Sequence, residues 1–150
     1  MTRRATLVAA SALIVAAVAG GWWWQSRPAP GGPIILISID TLRADRLPAY
    51  GYTAIRTPAI DALAADGVLF EHAYTHSPQT LPAHASIFSG RLPFANGVRD
   101  NIGFTVKDDE VLLAQRLRDR GYATGAFVSS YVLRSAVGLS RGFDVYDDAL

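Results

Sequence analysis

Ile34-Ile35-Leu36-Ile37-Ser38-Ile39 runs directly into Asp40, and this stretch decides the fold class. The run is apolar and mostly β-branched with no polar alternation, the pattern of a parallel strand covered on both faces. It predicts a central strand. Asp40 then stands just past the carboxyl end of that strand, where ligands bind in open α/β sheets. A carboxylate at that position suits a metal, and it equally suits a cap for the turn that Asp40-Thr41 would start.

Working outward toward the C-terminus, Thr57-Pro58, then Ile60, Leu63 and Ala64, then Gly67 supply a cap, a first-turn proline and a terminating glycine, which predict a short helix. Val68 to Tyr74 reads as extended. A second short helix is predicted from Thr80-Leu81-Pro82-Ala83-His84 to Ser89-Gly90 on the same logic. Asp108 and Asp109 precede the apolar positions Val111, Leu113 and Leu117. Arg116, Arg118 and Arg120 precede Gly121, so charges of each sign sit at the end of a third helix that its dipole favours. Tyr122 to Val128 reads as another strand. Alternating strands and helices predict an α/β fold with a mostly parallel central sheet flanked by helices, spanning residues 34–150.

Working back toward the N-terminus, Gln25 to Pro33 (QSRPAPGGP) can neither continue a helix nor join a sheet interior, so residues 25–33 read as a linker. Residues 1–24 carry Arg3 and Arg4, an apolar run from Ala5 to Gly21, and Trp22, Trp23 and Trp24. That run is about as long as a bilayer core requires. Arginines at its start and tryptophans at its far end fit a transmembrane helix with a cytoplasmic N-terminus. Ala17-Val18-Ala19 also fits a signal-peptide cleavage site. Either way the folded part is expected outside the cytoplasm, anchored to the inner membrane or secreted.

The formal net charge is +1, with 14 basic and 13 acidic side chains mixed along the chain, which disfavours nucleic acid as a partner. Cysteine is absent, which excludes disulfides, thiolate metal sites and thiol nucleophiles.

Three side chains carry candidate chemistry. Asp40 is the first. Thr80 stands at or just before a helix N-terminus, where free N–H groups and the positive dipole end favour an anion. A hydroxyl there becomes a nucleophile if a metal lowers its pKa, and it is also a common N-cap. Asn101, in the loop Gly97-Val98-Arg99-Asp100-Asn101, offers an amide to a non-bridging oxygen of a tetrahedral ester, or else forms an Asx-turn. His72 and His76 are spaced like a metal pair on a helix, but their segment reads as extended. Arg43 and Asp45 read as local ion-pair partners, with Arg43 close enough in sequence to orient Asp40.

Together the segments from Ile35 to Asn101 resemble the sulfatase and nucleotide pyrophosphatase/phosphodiesterase branches of the alkaline phosphatase superfamily. Ile35 to Asp45 (ILISIDTLRAD) is similar to the family's opening strand with its first metal aspartate, and Thr57 to Phe70 (TPAIDALAADGVLF) is similar to the segment that follows. The family's nucleophile falls at Thr80. True sulfatases carry Cys-x-Pro-x-Arg or Ser-x-Pro-x-Arg there and convert the first residue to formylglycine. This chain has Thr80 and His84, and threonine cannot become that aldehyde. Thr-x-Pro-x-His with Asn101 therefore looks like the phosphodiesterase branch, and Thr41 replaces the second aspartate usual in calcium sulfatases.

That resemblance implies Asp40 and Thr80 on one of two divalent ions, most plausibly zinc, with manganese or calcium as alternatives. It also implies attack by Thr80 and a phosphoryl oxygen held by Asn101. The substrate it implies is a small-molecule, lipid or glycan ester. The family's remaining metal ligands lie beyond Leu150. Transfer of a phospho-alcohol such as phosphoethanolamine from lipid to an envelope glycan is a second expectation. A third is an inactive fragment or interaction module, which an incomplete metal set and an exposed sheet edge would produce.

Overall fold

The computed structural model describes residues 31–149, together with Leu13 and Ala16. Apart from those two residues, the expected membrane or signal segment at 1–24 lies outside the described residues, as does most of the linker. Among those described, no helix is long and apolar enough to cross a membrane.

Residues 31–149 form four α-helices and two strands, in chain order α1 (Pro58–Asp66), α2 (Thr80–Ser89), α3 (Pro93–Asn96), α4 (Leu113–Arg118), β1 (Gly125–Phe127) and β2 (Val145–Asp147). Single 3-10 turns at Ala44–Arg46, Pro48–Tyr50, Tyr131–Leu133 and Ser135–Val137 link them. The helices at 58–66 and 80–89 start and stop where the proline and glycine signals place them. Gly90 closes α2 in the left-handed region, with its N–H on the Ser86 carbonyl.

β1 and β2 pair in parallel, with Ala126 opposite Tyr146, so the chain is α/β with a small parallel sheet. Thr124 fixes where that pairing begins. Its backbone N–H donates to Asp144 Oδ2 at 2.9 Å and its hydroxyl to the Gly142 carbonyl at 2.7 Å, while Asp144 N–H donates back to the Thr124 carbonyl at 2.9 Å. Hydrogen bonds from Thr124 hold the Asp144 carboxyl below the ordinary aspartate range, and the Ser135 N–H does the same for Asp148. Gly142 sits at φ 91°, and a Cβ there would meet Gln115 N at 2.2 Å. Only glycine lets the turn before β2 approach α4 this closely.

Leu81, Ala85, Val98, Val106, Leu112, Leu133 and Leu139 form the core, with Phe88, Phe104, Val128, Val132 and Val137 packed around it. α2 is the spine of this cluster. Buried Asn96 ties the end of α2 to the following loop: Nδ2 donates to the Arg91 carbonyl at 3.0 Å, and Oδ1 accepts from Val98 N–H at 2.9 Å.

Three expectations are corrected. Ile34 to Ile39 is not a central strand among the described residues. β1 and β2 pair only with each other, and a run without a ladder partner leaves its side chains outside: Ile35 is 79% and Ile37 74% exposed. Val68 to Tyr74 likewise forms no strand and bends at Glu71-His72. The third helix begins only at Leu113. Asp108 is drawn to Arg141 at 3.2 Å instead of the helix dipole, and the Gln115 side chain, accepting from Leu112 N–H at 2.9 Å, fixes the start.

Candidate active site

The turn that ends the Ile34 to Ile39 run and the first turn of α2 meet, although they are 40 residues apart. Leu42 N–H donates to the Ile39 carbonyl at 3.4 Å, closing a turn in which Thr41 has φ 58°. A β-branched residue rarely adopts the left-handed region, and the strain is of the order of 1–3 kcal/mol. Thr41 is the only non-glycine residue in that region among those described, and its hydroxyl donates to the Asp40 carbonyl at 2.7 Å. Asp40 therefore does not spend its carboxylate on its own turn. Oδ2 lies 3.3 Å from Thr80 Oγ1.

Thr80 is the first residue of α2, and Gln79 rather than Thr80 occupies the cap position. The expected set of free N–H groups at this terminus is smaller than the sequence implies. Leu81 N–H donates to Asn101 Oδ1 at 2.9 Å, Pro82 has no N–H, and Ala83 N–H reaches the Gln79 carbonyl at 3.1 Å. What anchors Asn101 also orients it. With Oδ1 held by Leu81 N–H, its Nδ2 is the end left to donate, and no described residue accepts from it. The loop carrying it is set by buried Asn96 and Val98, and Asp100 Oδ1 accepts the Asn101 N–H at 2.6 Å.

Asp40, Thr80 and Asn101, singled out separately in the sequence, thus converge on one helix terminus. His72 and His76 do not. Both are exposed, and no cluster of three histidine, cysteine, aspartate or glutamate side chains forms among the described residues. Arg43 turns away from Asp40 to a bidentate pair with Asp45, at 2.9 and 2.7 Å, and this pairing holds the Asp45 carboxyl below its ordinary range.

Two residues of the site were not among the candidates. Ser38 Oγ lies 2.9 Å from His84 Nε2, and His84 Nδ1 lies 2.7 Å from the Thr80 carbonyl oxygen. The signals were there: Ser38 is the one polar residue in the apolar run, two before Asp40, and His84 is one helical turn after Thr80.

The Asp40 and Thr80 oxygens are spaced as two ligands of one divalent ion would be. Two oxygens each about 2.1 Å from one tetrahedral ion stand roughly 3.4 Å apart. The separation of Asp40 Oδ2 from Thr80 Oγ1 is 3.3 Å, long for a hydroxyl–carboxylate hydrogen bond. The pair fits part of a hard, oxygen-rich cation site. Two ligands do not complete one.

The family model described as Sulfatase matches residues 33–149. Steryl-sulfatase of Rattus norvegicus is 33% identical over 110 residues, covering 67% of this chain and 19% of that protein. N-acetylgalactosamine-6-O-sulfatase of Bacteroides thetaiotaomicron is 34% identical over 99 residues, covering 61% of this chain and 19% of that protein. Arylsulfatase A of Bos taurus is 35% identical over 99 residues, with the same shares of 61% and 19%. The chain thus spans about a fifth of the length of these relatives. No solved structure matches significantly.

Proposed function

The chain belongs to the sulfatase family, and on that premise we propose that the protein hydrolyses esters of a tetrahedral oxyanion with Thr80 as nucleophile, preferring phosphodiesters. The observation that carries this reading is the 3.3 Å approach of Thr80 Oγ1 to Asp40 Oδ2 at the start of α2. A divalent ion, zinc or manganese, would be held by Asp40 and Thr80 with ligands from outside the described residues. When bound, it would lower the pKa of the Thr80 hydroxyl and offset the charge of the substrate.

The chain's own groups supply the remaining steps. Thr80 Oγ attacks the central atom in line with the leaving alkoxide; as the new O–P bond forms and the old one breaks, the Thr80 proton passes through solvent to the alkoxide, which departs as an alcohol. Asn101 Nδ2, aimed by the Leu81 N–H bond at its other end, donates to a non-bridging oxygen as charge builds there. Water then attacks the phospho-threonine and releases the phosphate monoester, restoring the hydroxyl. The nucleophile's chemistry supports the phosphate preference. A formylglycine hydrate sheds sulfate by collapsing to an aldehyde, and threonine has no second geminal hydroxyl through which to do so. Water can still displace a phosphoryl group from it.

The relatives favour a second reading, sulfuric ester hydrolysis, since those matched are sulfatases by name. Tetrahedral, anionic esters of sulfur and phosphorus suit the same fold. The full-length protein supplied with zinc or manganese and offered aryl phosphodiesters and aryl sulfates decides between them. The phosphodiester should be cleaved faster, and faster cleavage of the sulfate would install the second reading. The expected extracytoplasmic location rests on residues 1–24 and is part of the proposal.

A further inference from the structure

The contact between the Asp40 segment and α2 has two rungs. Asp40 Oδ2 reaches Thr80 Oγ1, and two residues earlier Ser38 Oγ reaches His84 Nε2 at 2.9 Å. Residues two apart share a face of an extended chain, and residues four apart share a face of a helix. Ser38 and Asp40 on one side, Thr80 and His84 on the other, therefore lie in register.

His84 closes the second rung back onto the first. Its Nδ1 lies 2.7 Å from the Thr80 carbonyl oxygen. A carbonyl only accepts, so Nδ1 must carry hydrogen, and Nε2 is left to accept from the Ser38 hydroxyl. One imidazole thereby bonds the backbone of the nucleophile's residue and the side chain two before the carboxylate. From this geometry we infer that His84 is a positioning residue, which with Ser38 sets the distance between the Asp40 carboxylate and the Thr80 hydroxyl.

Among the described residues little else holds Asp40 in place. The Asp40 segment has no sheet partner among the described residues, and Ile37 and Ile39 on either side of Ser38 are exposed. Packing does not fix the position of Asp40 here. The two polar rungs and the Thr41 turn are what the described residues offer in its place. Displacement of a reacting pair by about 1 Å is enough to lower turnover on the order of a hundredfold.

The inference rests on Thr80 acting as the proposed nucleophile, and the test separates the two. In the full-length protein, Ser38→Ala, His84→Asn and His84→Gln are compared with wild type for kcat, KM, zinc affinity and nitrogen NMR of the His84 ring. Asparagine places an amide donor where Nδ1 was, keeping the Thr80 bond and losing Ser38. Glutamine reaches toward Ser38 and gives up the Thr80 bond.

Ser38→Ala and His84→Asn should each lower kcat about tenfold with KM within about twofold, and the double variant should be no worse than either alone, because both remove one bond. His84→Gln should fall further, to about a hundredfold, and zinc should bind more weakly in all three. The wild-type ring should carry its hydrogen on Nδ1. Additive losses in the double variant, an unchanged kcat in Ser38→Ala, or a ring hydrogen on Nε2 would overturn the clamp while leaving the nucleophile assignment standing. A wild type that cleaves neither ester would instead remove the functional reading, and zinc affinity and ring tautomer would still decide whether the clamp exists.

Discussion

Apart from Leu47, every buried apolar side chain among the described residues lies in residues 80–139, even though Phe94, Ile102 and Phe127 there are exposed, whereas residues 34–70 leave nearly all of theirs in solvent. Leu81 and Leu112 are fully buried, and Ile34, Ile35 and Phe70 are at least 60% exposed. Both stretches are equally apolar to the eye. The difference is that α2 through Leu139 closes around its own helices and turns, while Ile34 to Ile39 can be covered only by strands and helices paired to it from elsewhere. The candidate site lies on the seam. Thr80, His84 and Asn101 come from the packed half, and Ser38 and Asp40 come from the half without a cover.

Substitutions probe that contrast, beginning where the effect is largest. Leu112→Ala should cost about 3 kcal/mol in chemical denaturation of this chain, since it empties a fully enclosed position in the core. A cost below about 1 kcal/mol would mean that this half is not the packed one. Gly142→Ala should cost about 2–3 kcal/mol, because its Cβ would overlap the backbone of α4 at Gln115 in a left-handed backbone conformation. Thermal unfolding of the variant checks this.

Acid titration probes the adjoining β1–β2 region more gently. Hydrogen bonds from Thr124 and Ser135 hold the carboxyls of Asp144 and Asp148 below the ordinary aspartate range in the folded chain. Their contribution is complete above the unfolded value and is lost as pH falls from about 4 through the lower folded values. Denaturation midpoints of wild type and Asp144→Asn should therefore differ at pH 6 and draw together as the pH falls from about 4 through the folded value. A difference that persists there would assign the loss to shape and not to charge. Ile35→Ser should be the mildest, within about 0.5 kcal/mol in this chain, as expected of an exposed position. The same substitution measured in the full-length protein sharpens the contrast, because a cost near 2 kcal/mol there would show that the run is covered in that setting.

The helices around the site were legible because their signals are local. Thr57-Pro58 and Gly67 bracket α1, and Pro82 and Gly90 bracket α2, each fixing backbone conformation without reference to anything distant. Ile34 to Ile39 misled because an apolar β-branched run states a preference for a sheet interior and not the identity of its neighbours. Asp108 misled for a related reason: Arg141, 33 residues away, competes for it more effectively than the dipole of a helix six residues long. Asp40, Thr80 and Asn101 could be named one at a time. Their convergence could not be read from composition or periodicity, and Ser38 with His84, 46 residues apart, went unpaired until the chain was folded.

The central claim is that the hydroxyl at the start of α2 attacks the ester. The direct measurement is turnover of an aryl phosphodiester by full-length Thr80→Ser and Thr80→Ala. Thr80→Ser should keep activity within about tenfold of wild type, and Thr80→Ala should lose about a thousandfold or more while the fold is retained. Turnover by Thr80→Ala within a few-fold of wild type would contradict the account.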